Sequence, residues 1–576
     1  MMEPAQTEHD ASDGAPAAAG ESPAIGEPGG AAQFVAFLVV AVAVAALFRL
    51  AAPNVSDPDS FYHFRHAAVY AEKGLGYARF PWLVYSVVSR FSADLGYGFH
   101  VLLIPFTWVR DGIQGIKLAA IFETVAVLAL MYWVMRRHRI ACAGAWPFVL
   151  FFLGPPLTYT FLMARPQTLT MGFSALLLSF MVSGSAWGVL LASFAICFFH
   201  LNVFVIVPVV VAGAALVKTL VGSPASLVPR PRSEGRDGGP LKAGLATGQA
   251  GRRPWEWRKW VAALAGMALG VALRPNPLGA VKLEYVQFVV HEIVRRKGIP
   301  LMFGREWAAT TLGDTATFFT WFLLVWVGVM VLFVVAALAR SEGGSSEDRT
   351  LLWSSLALSV LFFVVMVHST KRATPLWATF AVIFVAKAFS QLLHGRAAKE
   401  SKWLETETRL VVTWLVVAAL LVMTGEVITQ HLIYEQWAGR SSYRLSGAAR
   451  WLEANSRPGE IVFDVNWDMF PELFFWDTRN RYVSGLDPIF LYAYDQALYW
   501  KAHHLERGPA TSQTWGSMDR EGAKMEDVHS VLKRDFAASY LVLESQRNGE
   551  LEQYLDGDPR FERAHDDGEV VVYVIK

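Results

Sequence analysis

The sequence predicts a polytopic α-helical membrane protein, with about 11 transmembrane helices, that ends in a soluble α/β domain. Hydrophobic residues make up 54% of the 576 positions and charged residues only 18%, and the mean hydropathy is +0.33. Apolar runs long enough to cross about 30 Å of hydrocarbon recur along most of the chain. Near residue 430 the runs shorten to strand length, which is typical of a soluble domain.

The predicted spans are assigned from run length and lack of charge. The segment 1–31 is rich in Ala, Gly, Pro and Glu, so we expect a disordered cytoplasmic tail. The apolar run Phe99 to Val109 is too short to cross a bilayer and is interpreted as an interfacial or re-entrant segment. The spans lie near residues 32–51, 113–135, 143–162, 167–183, 186–200, 203–220, 260–273, 315–339, 350–368, 374–392 and 408–424.

Basic loops orient these spans. The run Arg136 to Arg139, the loop 221–259 and the segment His394 to Lys402 all fall on one side of the membrane if the N-terminus is cytoplasmic. The sequence therefore predicts a membrane domain over 32–428, with 221–259 as a flexible cytoplasmic linker. The C-terminal domain, 429–576, is expected on the external (periplasmic) side of the plasma (inner) membrane.

The C-terminal domain alternates strand and helix patterns. Strand-length apolar runs occur at Glu460 to Val465, Ser539 to Glu544 and Glu569 to Val574. Helical patterns lie between them, as in Arg444 to Asn455 and Ile489 to His503. This alternation predicts a small α/β domain.

The composition excludes several classes of protein. The formal net charge of +1 gives no reason to expect a nucleic acid partner. The two cysteines, Cys142 and Cys197, both lie in apolar runs, so neither a disulfide framework nor a cysteine metal site is predicted.

An acidic pair, Asp57 and Asp59, follows the first predicted span. Carboxylates beside a membrane helix are costly unless they do chemistry or bind a cation. These two residues are therefore the first candidates for catalysis. The alternative is that the Asp57-Pro58-Asp59 segment only caps the helix that starts near Ser60, and both roles can coexist.

Other polar residues gather on the same predicted external face, at the ends of separate spans and in the loops between them. Such convergence at a membrane–water boundary suits a substrate with a polar head group and a lipid tail. The residues concerned are Arg165, His200, Asn202, Arg274, Glu306, Lys371 and Arg372.

The acidic pair, with Tyr62-His63-Phe64-Arg65 after it, resembles the Asp-rich first external loop of GT-C glycosyltransferases, most nearly the catalytic subunits of oligosaccharyltransferases. Arg165-Pro166-Gln167, Asn276-Pro277-Leu278-Gly279, Arg305-Glu306-Trp307 and the basic turn Lys371-Arg372 extend the similarity. Trp467-Asp468 stands where oligosaccharyltransferases carry Trp-Trp-Asp, with Asn466 in place of the first Trp.

The resemblance implies a GT-C fold and transfer of a sugar or glycan from a polyprenyl-phosphate or polyprenyl-diphosphate carrier to an acceptor glycan, lipid or protein. Asp57 or Asp59 would accept the acceptor proton. Arg165, Arg274, Lys371 and Arg372 would neutralise the phosphate. The further substrate-binding candidates are His63, Arg65, His200, Asn202, Glu306, Trp467 and Asp468.

The cofactor question is left open by the sequence. If a divalent cation binds, Asp57 and Asp59 with substrate phosphate oxygens are the ligands that suit Mg²⁺ or Mn²⁺. His63 and His200 lack partners at metal-ligand spacing, so a structural hydrogen bond or a substrate contact is the preferred interpretation for both.

Alternatives to each role remain. Basic residues at helix ends also snorkel to lipid head groups, and Glu306-Trp307 fits either a lid or an interfacial anchor. At the level of function, the alternatives are a carrier or flippase for a lipid-linked substrate and a non-catalytic assembly subunit. Polymerase-type or ligase-type membrane glycosyltransferases are a further possibility within the enzyme class.

Overall fold

The computed structural model describes residues 30–55, 57–201, 205–222, 256–339, 345–393, 425, 428, 440–483, 485–507 and 512–576. The predicted span at 408–424, the domain boundary at 429, and most of the tail and linker lie outside these residues.

The helices of the first part are Gly30–Ala51 (α1), Pro58–Lys73 (α2), Val87–Phe91 (α3), Tyr97–Leu103 (α4), Gly112–Arg137 (α5), Trp146–Phe151 (α6), Pro155–Leu162 (α7), Pro166–Ser183 (α8), Ala186–Phe199 (α9), Ile206–Gly222 (α10), Glu256–Ala272 (α11), Pro277–Tyr285 (α12), His291–Arg296 (α13), Leu312–Ala339 (α14), Ser346–His368 (α15) and Thr374–Leu393 (α16).

Five helical segments of the described chain are long and apolar enough to cross a membrane, namely Gly30–Ala51, Gly112–Arg137, Leu312–Val335, Ser346–His368 and Lys371–Leu392. The count rises to six if the helix pair Trp257–Ala272 and Pro277–Arg296, bent by 106°, forms one broken span. The predicted count of about 11 is therefore not confirmed, and the predictions for 186–200 and 203–220 correspond to shorter apolar helices.

The segment predicted as one span at 143–162 is instead two short helices, α6 and α7. Gly154 precedes Pro155 and Pro156, and a proline interrupts a helix because it lacks a backbone N–H and its ring clashes with the preceding turn. Both prolines stand at the start of α7, where proline is tolerated. The sequence-based assignment missed this break because it weighed only hydropathy and length.

The C-terminal part is an α/β fold built on a five-stranded mixed sheet. Its strands are Ile461–Asp464 (β1), Arg481–Tyr482 (β2), Gln513–Thr514 (β3), Glu526–Asp527 (β4), Ala538–Glu544 (β5), Phe561–Asp566 (β6) and Val570–Ile575 (β7), in the sheet order β2-β1-β5-β7-β6. Strands β3 and β4 form a separate antiparallel pair. Its helices are Ser446–Asn455 (α17), Phe470–Trp476 (α18), Pro488–Tyr494 (α19), Gln496–Arg507 (α20), Val528–Arg534 (α21) and Ser545–Gly557 (α22).

The first loop joins the two parts. The backbone of Trp82 and Val84 exchanges hydrogen bonds with Tyr482, so the loop extends the edge of the sheet beside β2. Helix α2 packs against α18, where Phe61 and Phe475 meet edge to face at 5.3 Å between ring centroids. The α/β domain is thereby held against the helix that carries the acidic pair.

Candidate active site

A cavity of about 260 Å³, open to solvent, lies between the ends of the apolar helices and the α/β domain. Three of its side chains stand at helix ends: Arg165 before α8, His200 after α9, and Arg372 in the 3₁₀ turn between α15 and α16. The polar and charged side chains that line it are Asp59, Tyr62, His63, Arg165, Gln167, His200, Gln287, Glu306, Arg372, Trp467, Asp468 and Asp487.

Asp57 is buried behind the cavity wall. It caps α2 by accepting hydrogen bonds from the backbone N–H of Ser60 at 2.9 Å and from its hydroxyl at 2.6 Å. The guanidinium of Arg165 spans both of its oxygens, with Nε 2.9 Å from Oδ2 and one Nη on Oδ1. A carboxylate that is 3% exposed and engaged on both oxygens holds structure in place and has little capacity left for a substrate.

Asp59 stands in the first turn of α2 and faces the cavity. Its side chain keeps 31% of its surface exposed and pairs with Arg165 at 2.8 Å. Partial burial raises the pKa of Asp59 to about 6. The positive charge of Arg165 lowers this pKa, whereas the negative charges of Asp57 and Glu306 raise it further. Asp59 is therefore ionised at neutral pH and is a stronger base than an ordinary carboxylate.

The opposite wall carries a second ion pair. Glu306 accepts a hydrogen bond from Arg372 at 3.1 Å, and the Arg372 guanidinium lies 3.8 Å above the ring of Trp307. Burial acts to raise the pKa of Glu306, but the charges of Arg372 and Arg165 hold this pKa below its usual range. Trp307 in turn donates to Asp487 of the α/β domain at 3.3 Å, and burial raises the pKa of Asp487 to about 6.

Two further sequence-predicted residues come from the α/β domain. Trp467 and Asp468 line the cavity from the turn that precedes α18. Asp468 accepts from Arg547 at 2.8 and 3.0 Å, which fixes its orientation.

Besides Asp57, three predicted residues are placed outside the cavity. Arg274 is buried and donates to the carbonyls of Asp94, Cys197 and Phe198, the last two near the end of α9. Arg65 donates to Thr478 at 3.1 Å and so joins α2 to the α/β domain. Lys371 belongs to the same turn as Arg372 but does not line the cavity, and Asn202 lies outside the described residues.

The sequence analysis missed Gln287 and Asp487. Gln287 lies in a wider helical turn at Val286–Val290, and Asp487 caps α19 through the N–H of Ile489. Neither has a local motif that distinguishes it from other polar residues. Only the position of the α/β domain against the helix ends brings them to the cavity.

The carboxylates Asp57 and Asp59 do not fit a divalent cation. Both face the Arg165 guanidinium, which stands where a metal shared by the two residues would have to lie. A cation there would meet the positive charge of Arg165 and would have to displace its hydrogen bonds to Asp57. The arginine already supplies the positive charge that a metal would bring.

No protein-family profile and no curated protein matches the chain. Among solved structures, the arabinofuranosyltransferase AftD from Mycobacteria matches 94% of this chain and 40% of its own, at 14% identity and a TM-score of 0.51. ArnT from Cupriavidus metallidurans matches 95% of this chain and 98% of its own, at 12% identity and a TM-score of 0.49, both in the apo state and bound to undecaprenyl phosphate.

The chain thus spans about 40% of the length of AftD. The likeness to AftD extends over nearly the whole of the present chain. The chain therefore has the GT-C fold, as the resemblance of its motifs implied.

Proposed function

We propose that this protein is a membrane glycosyltransferase that moves a sugar from a polyprenyl-phosphate or polyprenyl-diphosphate carrier to an acceptor hydroxyl on the external face of the membrane. The observation that carries the proposal is Asp59. It is a partly exposed carboxylate, with a pKa raised to about 6, in a cavity that also presents Arg372 at the ends of apolar helices. The fold shared with an arabinofuranosyltransferase supports it by analogy.

Asp59 is the general base in this proposal. Its carboxylate takes the proton of the acceptor hydroxyl while the hydroxyl oxygen forms a bond to the anomeric carbon of the donor sugar. The bond between that carbon and the phosphate oxygen breaks, and its electron pair stays on the phosphate. The products are the new glycoside and the free polyprenyl phosphate or diphosphate.

Arg372 stabilises the leaving phosphate. One N–H group is used by Glu306 and one face is covered by Trp307, yet a quarter of the side chain stays exposed toward the cavity. Arg165 lines the same cavity, but two carboxylates already compensate its charge. Of the two arginines, Arg372 is therefore the stronger ligand for an additional anion.

The location of the cavity suits a lipid-linked donor. Arg372 lies in the turn Lys371–Ala373, which follows the segment Ser346–His368 and begins the segment Lys371–Leu392. Both segments are apolar enough to cross a membrane. A phosphate bound to Arg372 would lie at the end of hydrocarbon-spanning helices, so a polyprenyl tail can remain in the lipid. Trp467 and Asp468, on the α/β side, would contact the acceptor.

The test uses the purified full chain in lipid nanodiscs. Radiolabelled sugars on polyprenyl phosphate and on polyprenyl diphosphate, both hexoses and pentoses, are offered with a panel of alkyl glycosides as acceptors. Formation of a labelled glycoside from one carrier class establishes the function and identifies the carrier. A folded protein that transfers label from no donor to any acceptor refutes it.

A further inference from the structure

A chain of hydrogen bonds leads from the cavity into the first loop. His63 Nδ1 lies 2.8 Å from His100 Nε2, and His100 Nδ1 lies 2.7 Å from Asp94 Oδ2. His100 is fully buried and Asp94 nearly so, whereas His63 lines the cavity. The three side chains therefore connect a buried carboxylate to the surface that meets the substrate.

The proton positions in this chain follow from Asp94. Burial acts to raise the pKa of Asp94. This pKa is nevertheless held well below its usual range by His100, His66 and Arg274, so Asp94 is an ionised acceptor. An imidazole that carries a single N–H and donates it from Nδ1 to Asp94 leaves its Nε2 as an acceptor. His63 must then donate from Nδ1, and its own Nε2 carries a lone pair.

That lone pair is available to a ligand. Among the described residues, His63 Nε2 has no hydrogen-bond partner, and the ring is partly exposed at the cavity wall. Burial, the largest cause, and the charge of Arg165 hold the pKa of His63 well below its usual range. His63 therefore stays neutral and presents an acceptor to the cavity.

His63 stands one helical turn after Asp59 on α2, a spacing that puts two side chains on the same face of a helix. We propose that His63 Nε2 accepts a hydrogen bond from a second hydroxyl of the acceptor, beside the hydroxyl that Asp59 deprotonates. The acceptor is then a polyhydroxylated sugar and not an isolated alcohol or a peptide amide. This inference rests on the proposed glycosyltransferase function, and Asp94 and His100 act in it as positioning residues.

A metal is the competing explanation for this cluster, since ligand atoms of His66, Asp94 and His100 lie within 4.8 Å of one another. The rings of His66 and His100, however, stack at 4.4 Å between centroids and 30° between planes. Lone pairs lie in the ring plane, so stacked rings do not direct them at a common point. His66 Nδ1 is also bonded to the Tyr62 hydroxyl at 3.0 Å.

The test compares four variants with the wild type in the nanodisc transfer assay at pH 8, with alkyl glycosides as acceptor probes. His63→Ala should raise the acceptor KM roughly tenfold, the effect of one lost hydrogen bond, and leave the donor KM unchanged. His63→Gln should stay within about threefold of the wild type, because its amide N–H can donate to His100 while its carbonyl faces the cavity.

Asp94→Asn tests the positioning role. The amide N–H of the new side chain would donate to His100 Nδ1. This reverses the direction of the hydrogen bonds and puts a proton on His63 Nε2, so the acceptor KM should rise several-fold. Tyr70→Phe is the matched control. It removes another hydrogen bond to the same carboxylate, 3.0 Å from Asp94 Oδ2, without touching the chain to His63. It should stay within about twofold of the wild type.

The inference is overturned if the wild type transfers sugar while His63→Ala keeps its acceptor KM. It is equally overturned if Tyr70→Phe loses as much as Asp94→Asn, since the effect would then be structural. Absence of transfer by the folded wild type refutes the proposed function itself. The two failures are therefore distinguishable.

Discussion

The two charged walls of the cavity differ in how their ion pairs are held. On the α2 wall, Arg165 spans both oxygens of a buried carboxylate, Asp57, and also meets Asp59. On the opposite wall, Arg372 makes one hydrogen bond to Glu306, and the ring of Trp307 supports it from one face. The first pair is fully engaged, whereas the second leaves part of its guanidinium toward the cavity.

This difference assigns separate tasks to similar residues. Removing one partner of a buried pair is costly, so the α2 wall is suited to hold a base in a fixed position. An arginine with unused N–H groups is suited to accept an incoming anion. We therefore expect substitutions of Asp57 and Asp59 to affect the chemical step or folding, and substitutions at Arg372 to affect donor binding.

The largest effect is expected from Asp59→Asn, which removes the base and keeps the size of the side chain. Transfer should fall by about 10²–10⁴-fold in a single turnover, the usual contribution of general base catalysis. Asp314→Asn, in the first turn of α14, is the matched control and should leave the rate unchanged. An Asp59→Asn variant as fast as this control would remove Asp59 from the mechanism.

Asp57→Ala should act mainly on stability. Loss of one partner of a buried pair costs about 3–5 kcal/mol, so the free energy of unfolding and the melting temperature should both drop. Glu292→Ala breaks the partly exposed pairs with Arg295, at 2.9 Å, and with Arg296, at 2.8 Å, and should cost at most about 1 kcal/mol for each pair. Equal melting temperatures for the two variants in the same detergent would contradict the structural role of Asp57.

Arg372→Ala should raise the donor KM by roughly 10–100-fold, as expected for a lost charge-assisted hydrogen bond. The donor KM of Arg372→Lys should lie between that of Arg372→Ala and that of the wild type, because lysine keeps the charge but loses the planar contact with Trp307. Titration of the donor at saturating acceptor measures this effect. A rise in acceptor KM with the donor KM unchanged would place Arg372 on the acceptor side instead.

Removal of divalent cations should have the smallest effect. Since Arg165 faces both Asp57 and Asp59, EDTA should leave the transfer rate within about twofold of the untreated enzyme. The assay is run with EDTA and then with added Mg²⁺ or Mn²⁺. Loss of activity that Mg²⁺ or Mn²⁺ restores would show that a metal binds at residues other than this pair or displaces Arg165.

Local patterns predicted residues that line the cavity better than they predicted the spans. Asp59, Arg165, Glu306 and Arg372 were identifiable because charge is rare beside apolar runs, and the structure brings these residues to one cavity. Arg274 is also a charged residue beside an apolar run, but it donates its hydrogen bonds to backbone carbonyls. Helix α11 packs closely on α9 through Gly270, and this packing places Arg274 against those carbonyls.

What the sequence could not predict depends on contacts between distant parts of the chain. Asp94 lies in the irregular segment before α4 and His100 lies in α4, a helix of only seven residues, so no local pattern links them to His63 before the fold is known. Asp487 reaches the cavity only because the α/β domain docks on the first loop. The break at Gly154 shows in addition that run length alone overestimates spans where prolines follow.

The most direct test of the central claim is the pH dependence of the single-turnover rate at saturating donor. A base must be ionised to act, and the pKa of Asp59 is raised to about 6, so the rate should be constant above about pH 7 and fall roughly tenfold per unit below about pH 6. The residual rate of Asp59→Asn should not show this transition. A wild-type midpoint near pH 4, or the same midpoint in Asp59→Asn, would contradict the assignment of Asp59 as the base.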